Sequence, residues 1–124
     1  MFILSELYNV TAQLFENNTK NSSGDKLLSQ AIEFMYESYA DSSLLVSDIS
    51  DYLFISEIYL RKLFLKKYNT TPFKYLTKIR MEQAKYLAAE KIPVGEIALH
   101  VGYSDIYQFS RAYKRFYGYS PSDI

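Results

Sequence analysis

Apolar residues three and four positions apart recur along most of this chain, broken by short polar stretches and by Pro and Gly. That period is helical, so the pattern predicts an all-α fold. Ile3, Leu7, Val10 and Leu14 predict a short amphipathic helix over residues 2–15, and the polar run 17–24 reads as a loop. Asp25 caps a helix reaching Tyr39, with Leu27, Leu28, Ala31, Ile32, Met35 and Tyr36 facing a core. After a break at 40–43, Val46 to Leu53 buries Ile49 and Leu53, and Ser56 caps a helix to Tyr68 with Leu60, Leu63 and Phe64 inward. Thr71-Pro72 is a helix start, Thr capping and Pro at the first helical position. The helix it opens carries Phe73, Leu76, Ile79, Ala84, Leu87 and Ala88 on its apolar side and runs to Glu90, where Ile92-Pro93 follows. Val94 to Val101 is a shorter amphipathic segment ending at Gly102. Ser104, with Asp105 beside it, caps the last helix, whose stripe is Phe109, Ala112, Tyr113 and Phe116 and whose end is Gly118.

The pattern repeats. Residues 60–72 match residues 109–121 at a constant offset of 49, pairing Leu60 with Phe109, Phe64 with Tyr113, Asn69 with Gly118 and Pro72 with Pro121. Upstream the offset is 48, pairing Ile49 with Ile97, Leu53 with Val101 and Ser56 with Ser104, so the second copy has one extra residue in its turn. Duplication of helix, tight turn and helix makes this a two-unit chain. Residues 1–24 are an N-terminal linker helix and polar loop, 25–71 the first helix-turn-helix subdomain, 72–91 a connecting helix, and 92–124 a second subdomain cut short at its C-terminus. The N-terminal helix has two readings: the end of a linker from an upstream domain, or a helix that packs on this one. The connecting helix, at 1.5 Å per residue, is about 28 Å long. That approaches the roughly 34 Å between successive major-groove faces of B-DNA, so the helix can set the spacing of two groove-binding units.

Charge sharpens this picture. The chain is neutral as a whole, but residues 1–55 carry two Lys against eight Asp or Glu, net −6, and residues 56–124 twelve Lys or Arg against six, net +6. Such a split suits a half that binds a polyanion. A recognition helix shows its N-terminal outer residues to base edges. In the first unit these are Ile58, Tyr59, Arg61 and Lys62, where the cations can hydrogen-bond guanine and Ile58 can meet a thymine methyl. In the second they are Ile106, Tyr107, Ser110 and Arg111, the last able to serve base or phosphate. Lys66, Lys67, Lys74, Lys78, Arg80, Lys114 and Arg115 read as phosphate contacts, joined by Ser56 and Ser104 at the helix starts. An acidic groove facing the repeats would instead favour a helical protein-interaction module.

The chemistry of catalysis is sparse. With no Cys there is no disulfide, thiolate metal site or thiol nucleophile. His100 is the single His, has no carboxylate cluster around it, and reads as a packed or surface imidazole. No metal-protease or nucleotide-binding motif occurs. Thirteen Tyr and eight Phe fall mostly at helical spacing and read mainly as core. The N-terminus lacks the features of a signal peptide or membrane span, so no membrane association is expected.

The order Ser56-x-x-x-Leu60-x-x-Leu63-Phe64-x-x-Lys67, Arg80-x-x-x-Ala84-x-x-Leu87, Ile97-Ala98-x-x-Val101-Gly102-Tyr103-x-Asp105 and Phe109-Ser110-Arg111-x-Tyr113-Lys114-x-x-x-Gly118-x-Ser120-Pro121 resembles the DNA-binding domain of AraC/XylS-type bacterial transcription regulators. The resemblance covers roughly residues 27–124. Asn69 departs from the Gly usual there, Ser50 from a small Ala, and Gly95 weakens a short helix. The resemblance implies a cytoplasmic, non-enzymatic activator domain without a cofactor. It also implies double-stranded promoter DNA and RNA polymerase as partners, and an N-terminal sensor or dimerisation domain beyond this chain.

Overall fold

The computed structural model describes residues 23–123, and every regular element among them is a helix. These are α1 (Ser23–Ser38), α2 (Val46–Tyr52), α3 (Glu57–Tyr68), α4 (Pro72–Ala89), α5 (Val94–His100), α6 (Ile106–Tyr117) and a 3-10 turn at Pro121–Asp123. The helix expected over 2–15 lies outside the described residues. None of the described helices is long and apolar enough to cross a membrane.

The chain forms two compact units. The first comprises the described residues through Glu37 and Leu45–Phe73, and the second comprises Ser38–Leu44 and the described residues from Lys74 on. Most of the connecting helix α4 therefore folds with the second unit, as does the seven-residue segment between α1 and α2. In the first unit α1 buries Leu28, Ala31, Ile32 and Met35. It begins before Asp25, which sits in the first turn, where a carboxylate suits the helix dipole, and not at the cap. Helix α2 buries Ile49 and packs on α3, which buries Leu60 and Phe64. Ser50 is buried too, and its hydroxyl is satisfied by donating to the Ser47 carbonyl at 3.0 Å. In the second unit Met81 and Ala84 of α4, Ile97 and Ala98 of α5, Val101, and Phe109 and Tyr113 of α6 form one buried cluster. The Tyr117 hydroxyl ties α6 to α4 by donating to the Met81 carbonyl at 3.1 Å.

The two units build their turns bond for bond. After α2, Ile55 N–H donates to the Ser50 carbonyl and Phe54 N–H to that of Asp51; after α5, Tyr103 N–H donates to Ala98 and Gly102 N–H to Leu99. Every member is shifted by 48. This is the Schellman arrangement, which needs one left-handed residue to reverse the chain. Phe54 (φ 57°) supplies it in the first unit and Gly102 (φ 95°) in the second. The helix ends repeat as well: Asn69 (φ 55°) donates to the Leu65 carbonyl and Gly118 (φ 86°) to that of Lys114, now shifted by 49. Asn can stand for Gly at such a site because its short polar side chain tolerates left-handed geometry.

Two expectations are corrected. Phe73, Phe116, Tyr52 and Tyr86 are exposed, so many of the aromatics do not belong to a core. Helical period shows which residues share a stripe but not whether another element covers it. Ser104 does not cap α6; Asp105 does, its carboxylate accepting from Tyr107 N–H at 2.8 Å. Ser56, which accepts from Tyr59 N–H at 3.1 Å, therefore pairs with Asp105, and Ser104 is the extra residue of the second turn.

Two stability predictions follow from these sites. A Cβ on Gly102 would collide with the Tyr39 carbonyl oxygen and lie 2.8 Å from Arg80 Nε, whereas one on Gly118 meets nothing within 4 Å. Both residues share the left-handed strain, about 1–2 kcal/mol for a non-Gly residue. Gly102→Ala should therefore cost clearly more than Gly118→Ala in urea unfolding; equal costs would refute the collision. The Tyr113 hydroxyl is buried without a partner in hydrogen-bond geometry, although the Tyr119 hydroxyl is close. The first unit has Phe64 at the matching position. Tyr113→Phe should be neutral or stabilising by up to about 1 kcal/mol, since it removes only an unmet hydroxyl. A loss of stability on unfolding would show that the hydroxyl is engaged.

Candidate nucleic-acid interface

The two helices expected to read bases, α3 and α6, are equal in length, 12 residues each, and each starts on a side-chain cap and ends on a left-handed residue. Their inward faces are used up by Leu60 and Phe64 in α3 and by Phe109 and Tyr113 in α6. What remains outward at the N-terminal half is the set expected to meet bases. In α3, Ile58 is 71% exposed, and Tyr59, Arg61 and Lys62 are exposed beside it. In α6, Tyr107 is 72% exposed, Arg111 is exposed and Ser110 half-buried. Ile106 is less open than Ile58, because its Cδ1 atom leans towards Gly95 of α5.

Two further exposed residues share these first turns. Glu57 can accept from a cytosine amino group, and Gln108 can pair with adenine. Gln108 stands at offset 49 from Tyr59, so the repeat itself carried the signal for it. Glu57, an acid in a basic half, carries no such signal.

The cations expected at phosphate divide into three kinds. Lys66, Lys74, Lys78, Lys114 and Arg115 are exposed. Lys78 is only loosely held, 3.9 Å from Glu82 one turn on and 5.6 Å from the Tyr75 ring centroid. Lys67 is engaged within its own unit, its ammonium 3.1 Å from an Asp25 carboxylate oxygen, with both side chains about a third exposed. At that exposure the pair is worth little, and a phosphate can compete for the lysine. Arg80 is different and is a correction: it is 7% exposed, so a phosphate cannot reach its guanidinium. Nε donates to the Tyr39 carbonyl at 2.9 Å and Nη2 to the Asp41 carbonyl at 3.0 Å. Burial pulls its ionisation below the usual arginine range, while Tyr103 and Asp41 oppose the shift. Ser56 and Ser104 are exposed. Ser56 accepts one N–H at the cap and keeps its O–H to donate.

Among the described residues no group of three or more His, Cys, Asp or Glu is placed to hold a metal ion. His100 is exposed at the last turn of α5, away from any such cluster. Each unit by itself presents a capped helix start with outward apolar and basic side chains, chemistry that suits a duplex.

Known proteins share this architecture. Residues 49–124 match the family described as "Helix-turn-helix domain". The chain is 35% identical to the Msm operon regulatory protein of Streptococcus mutans, over 98% of this chain and 46% of that protein. It is 42% identical to the raffinose operon transcriptional regulatory protein RafR of Pediococcus pentosaceus, over 74% of this chain and 33% of that protein. It thus spans less than half the length of these relatives. Among solved structures, the C-terminal domain of AraT, a response regulator from Geobacillus stearothermophilus, superposes with a TM-score of 0.77 at 30% identity, covering 82% of this chain and 85% of that one. The C-terminal domain of the response regulator yesN from Fusobacterium nucleatum gives 0.71 at 33%, covering 75% and 91%.

The caps give a stability prediction. Asp105→Ala and Ser56→Ala should each cost about 1 kcal/mol, the usual worth of such a cap. Ser104→Ala should cost next to nothing. Chemical unfolding of the three variants checks this, and a large loss at Ser104 would restore it as the cap.

Proposed function

This chain belongs to the AraC-type family of helix-turn-helix transcription regulators, and we propose that its two reading helices, α3 and α6, read adjacent major-groove segments of one promoter site. It is a DNA-binding domain, the C-terminal domain of a regulator, and not an enzyme. The observation that carries the finer reading is the duplication itself, two capped 12-residue helices with Ile58, Arg61 and Lys62 outward on one and Tyr107 and Arg111 on the other. One polypeptide would then recognise a composite site without a second copy. The expected organisation 25–71, 72–91 and 92–124 belongs to this reading, with α4 as the spacer.

The whole regulator would carry a sensor or dimerisation domain N-terminal to this one, act in the cytoplasm as an activator, and contact RNA polymerase. Relatives named for the raffinose and arabinose operons support a sugar-utilisation operon as the target. Selection from a random duplex pool tests both levels. It should enrich a site of two motifs about one helical turn apart. Enrichment of a single motif would refute paired reading, and motif matches away from any sugar operon would refute the target.

Reading and holding separate by mutation. Arg61 is exposed one turn into α3, beside the buried stripe of Leu60 and Phe64, where its fork can meet a guanine edge. Arg61→Ala should cost about 1–3 kcal/mol on the selected site and relax preference at one base pair. Lys78→Ala should weaken selected and random duplexes alike and make the salt slope shallower by about one unit. Binding of the unmodified chain should fall by about 0.9 in log affinity per phosphate contacted for each unit of log salt. Titrations against selected, single-base-variant and random duplexes decide; unchanged base preference in Arg61→Ala removes it from the readers.

A further inference from the structure

Arg80 is a buried cation with no buried carboxylate beside it. Its partners are instead two backbone carbonyls, those of Tyr39 and Asp41, in the segment Ser38–Leu44. That segment is itself braced. Asp41 N–H donates to the Ser38 carbonyl, Leu44 N–H to that of Asp41, and the Asp41 carboxylate accepts from Ser43 N–H at 2.9 Å and Ser43 Oγ at 2.7 Å. On its other side the guanidinium lies 5.6 Å from the centroid of the Tyr103 ring. Tyr103 belongs to the turn between α5 and α6, and its ring stands 5.7 Å from that of Phe109 on α6. Gly102, next in the turn, has no room for a Cβ because the Tyr39 carbonyl and Arg80 fill the space. A continuous run of contacts thus leads from the braced segment through Arg80 and Tyr103 to the second reading helix.

Among the described residues the first unit shows no such clamp. The residue matching Gly102 is Phe54, left-handed like it but 95% exposed. One turn is packed and the other open, although their backbone bonds are the same.

We propose that Arg80 is the positioning residue of the second reading helix: by clamping the turn 102–103 onto segment Ser38–Leu44, it sets the direction from which α6 offers Tyr107, Ser110 and Arg111 to bases. The inference rests on the paired-reading proposal. Lysine cannot replace arginine here, since a single ammonium lacks the planar fork that meets two carbonyls while stacking on a ring.

The test is random-pool selection followed by titration against single-base variants, using the unmodified chain, Arg80→Lys and Tyr103→Leu, each checked for folding by circular dichroism. Tyr107→Ala identifies which motif belongs to α6. Arg80→Lys should lose about tenfold of its discrimination at the α6 motif, keep its discrimination at the α3 motif, and leave the salt slope unchanged. Tyr103→Leu should do the same in weaker form. Unfolding of the whole chain cannot mimic this, because it lowers affinity for every duplex by one factor and leaves their ratios alone; unfolding of the second unit alone would show as lost helix in the circular-dichroism check. Equal losses at both motifs, or intact discrimination at the α6 motif, would overturn the assignment while paired reading stands. So would failure of both variants to fold, which would make Arg80 a stability residue of the whole unit. A shallower salt slope for Arg80→Gln would return Arg80 to phosphate binding. If the unmodified chain selects no second motif, paired reading itself fails and this inference goes with it.

Discussion

A single left-handed residue between two helices is the constraint on which both units depend. The scaffold helix must stop, the chain must reverse within three residues, and the next helix must leave at an angle that exposes its N-terminal end. A Schellman closure does this by satisfying the last carbonyls of the first helix with the two N–H groups that follow the reversal. In both units the same pair of bonds forms, to Ser50 and Asp51 in one and to Ala98 and Leu99 in the other. The reading helix inherits its direction from that closure. Its core residues, Leu60 and Phe64 or Phe109 and Tyr113, then fix its rotation, so the outward residues are decided before any DNA arrives.

Holding the backbone fixed leaves side chains free to differ, and the two copies use that freedom in opposite ways. In the second unit Gly102 is obligatory, because the Tyr39 carbonyl and Arg80 occupy the space a Cβ would take. In the first, a Phe tolerates left-handed geometry at a cost of about 1–2 kcal/mol. At 95% exposure its side chain has the room a large group needs and gains little from burial. Asn69 and Gly118 show the milder version of the same exchange at the helix ends.

Much of this was legible in the sequence because duplication doubles each weak signal. A lone Ser before an apolar stripe is a common sight; Ser56 and a second cap 49 residues on, each followed by a stripe and a left-handed stop, are not. The shift from offset 48 to 49 announced an extra residue in the second turn. The sequence could not say which one, since Ser104 and Asp105 are both good caps. Arg80 was misjudged for a related reason. A motif of charges in helical register looks like surface, and its burial depends on carbonyls 39 and 41 residues away in sequence, which carry no side-chain signature at all. The exposed aromatics were misjudged the other way. Phe73 and Phe116 sit on apolar stripes, but a stripe becomes core only where another element covers it.

The division of charge along the chain bears on how such a surface discriminates. Phosphate contacts supply affinity that every duplex shares, and residues 56–124, net +6, hold the cations that could make them. Sequence preference has to come from the groove floor. The candidate readers there include Ile58 and Tyr107, both widely exposed, flanked by exposed Arg61 and Arg111. An isoleucine against a thymine methyl and an arginine fork on guanine both depend on close placement. A surface that reads in this way would need rigid support as well as charge. The capped helix starts, the closed turns and the buried arginine under Tyr103 are all devices of that kind.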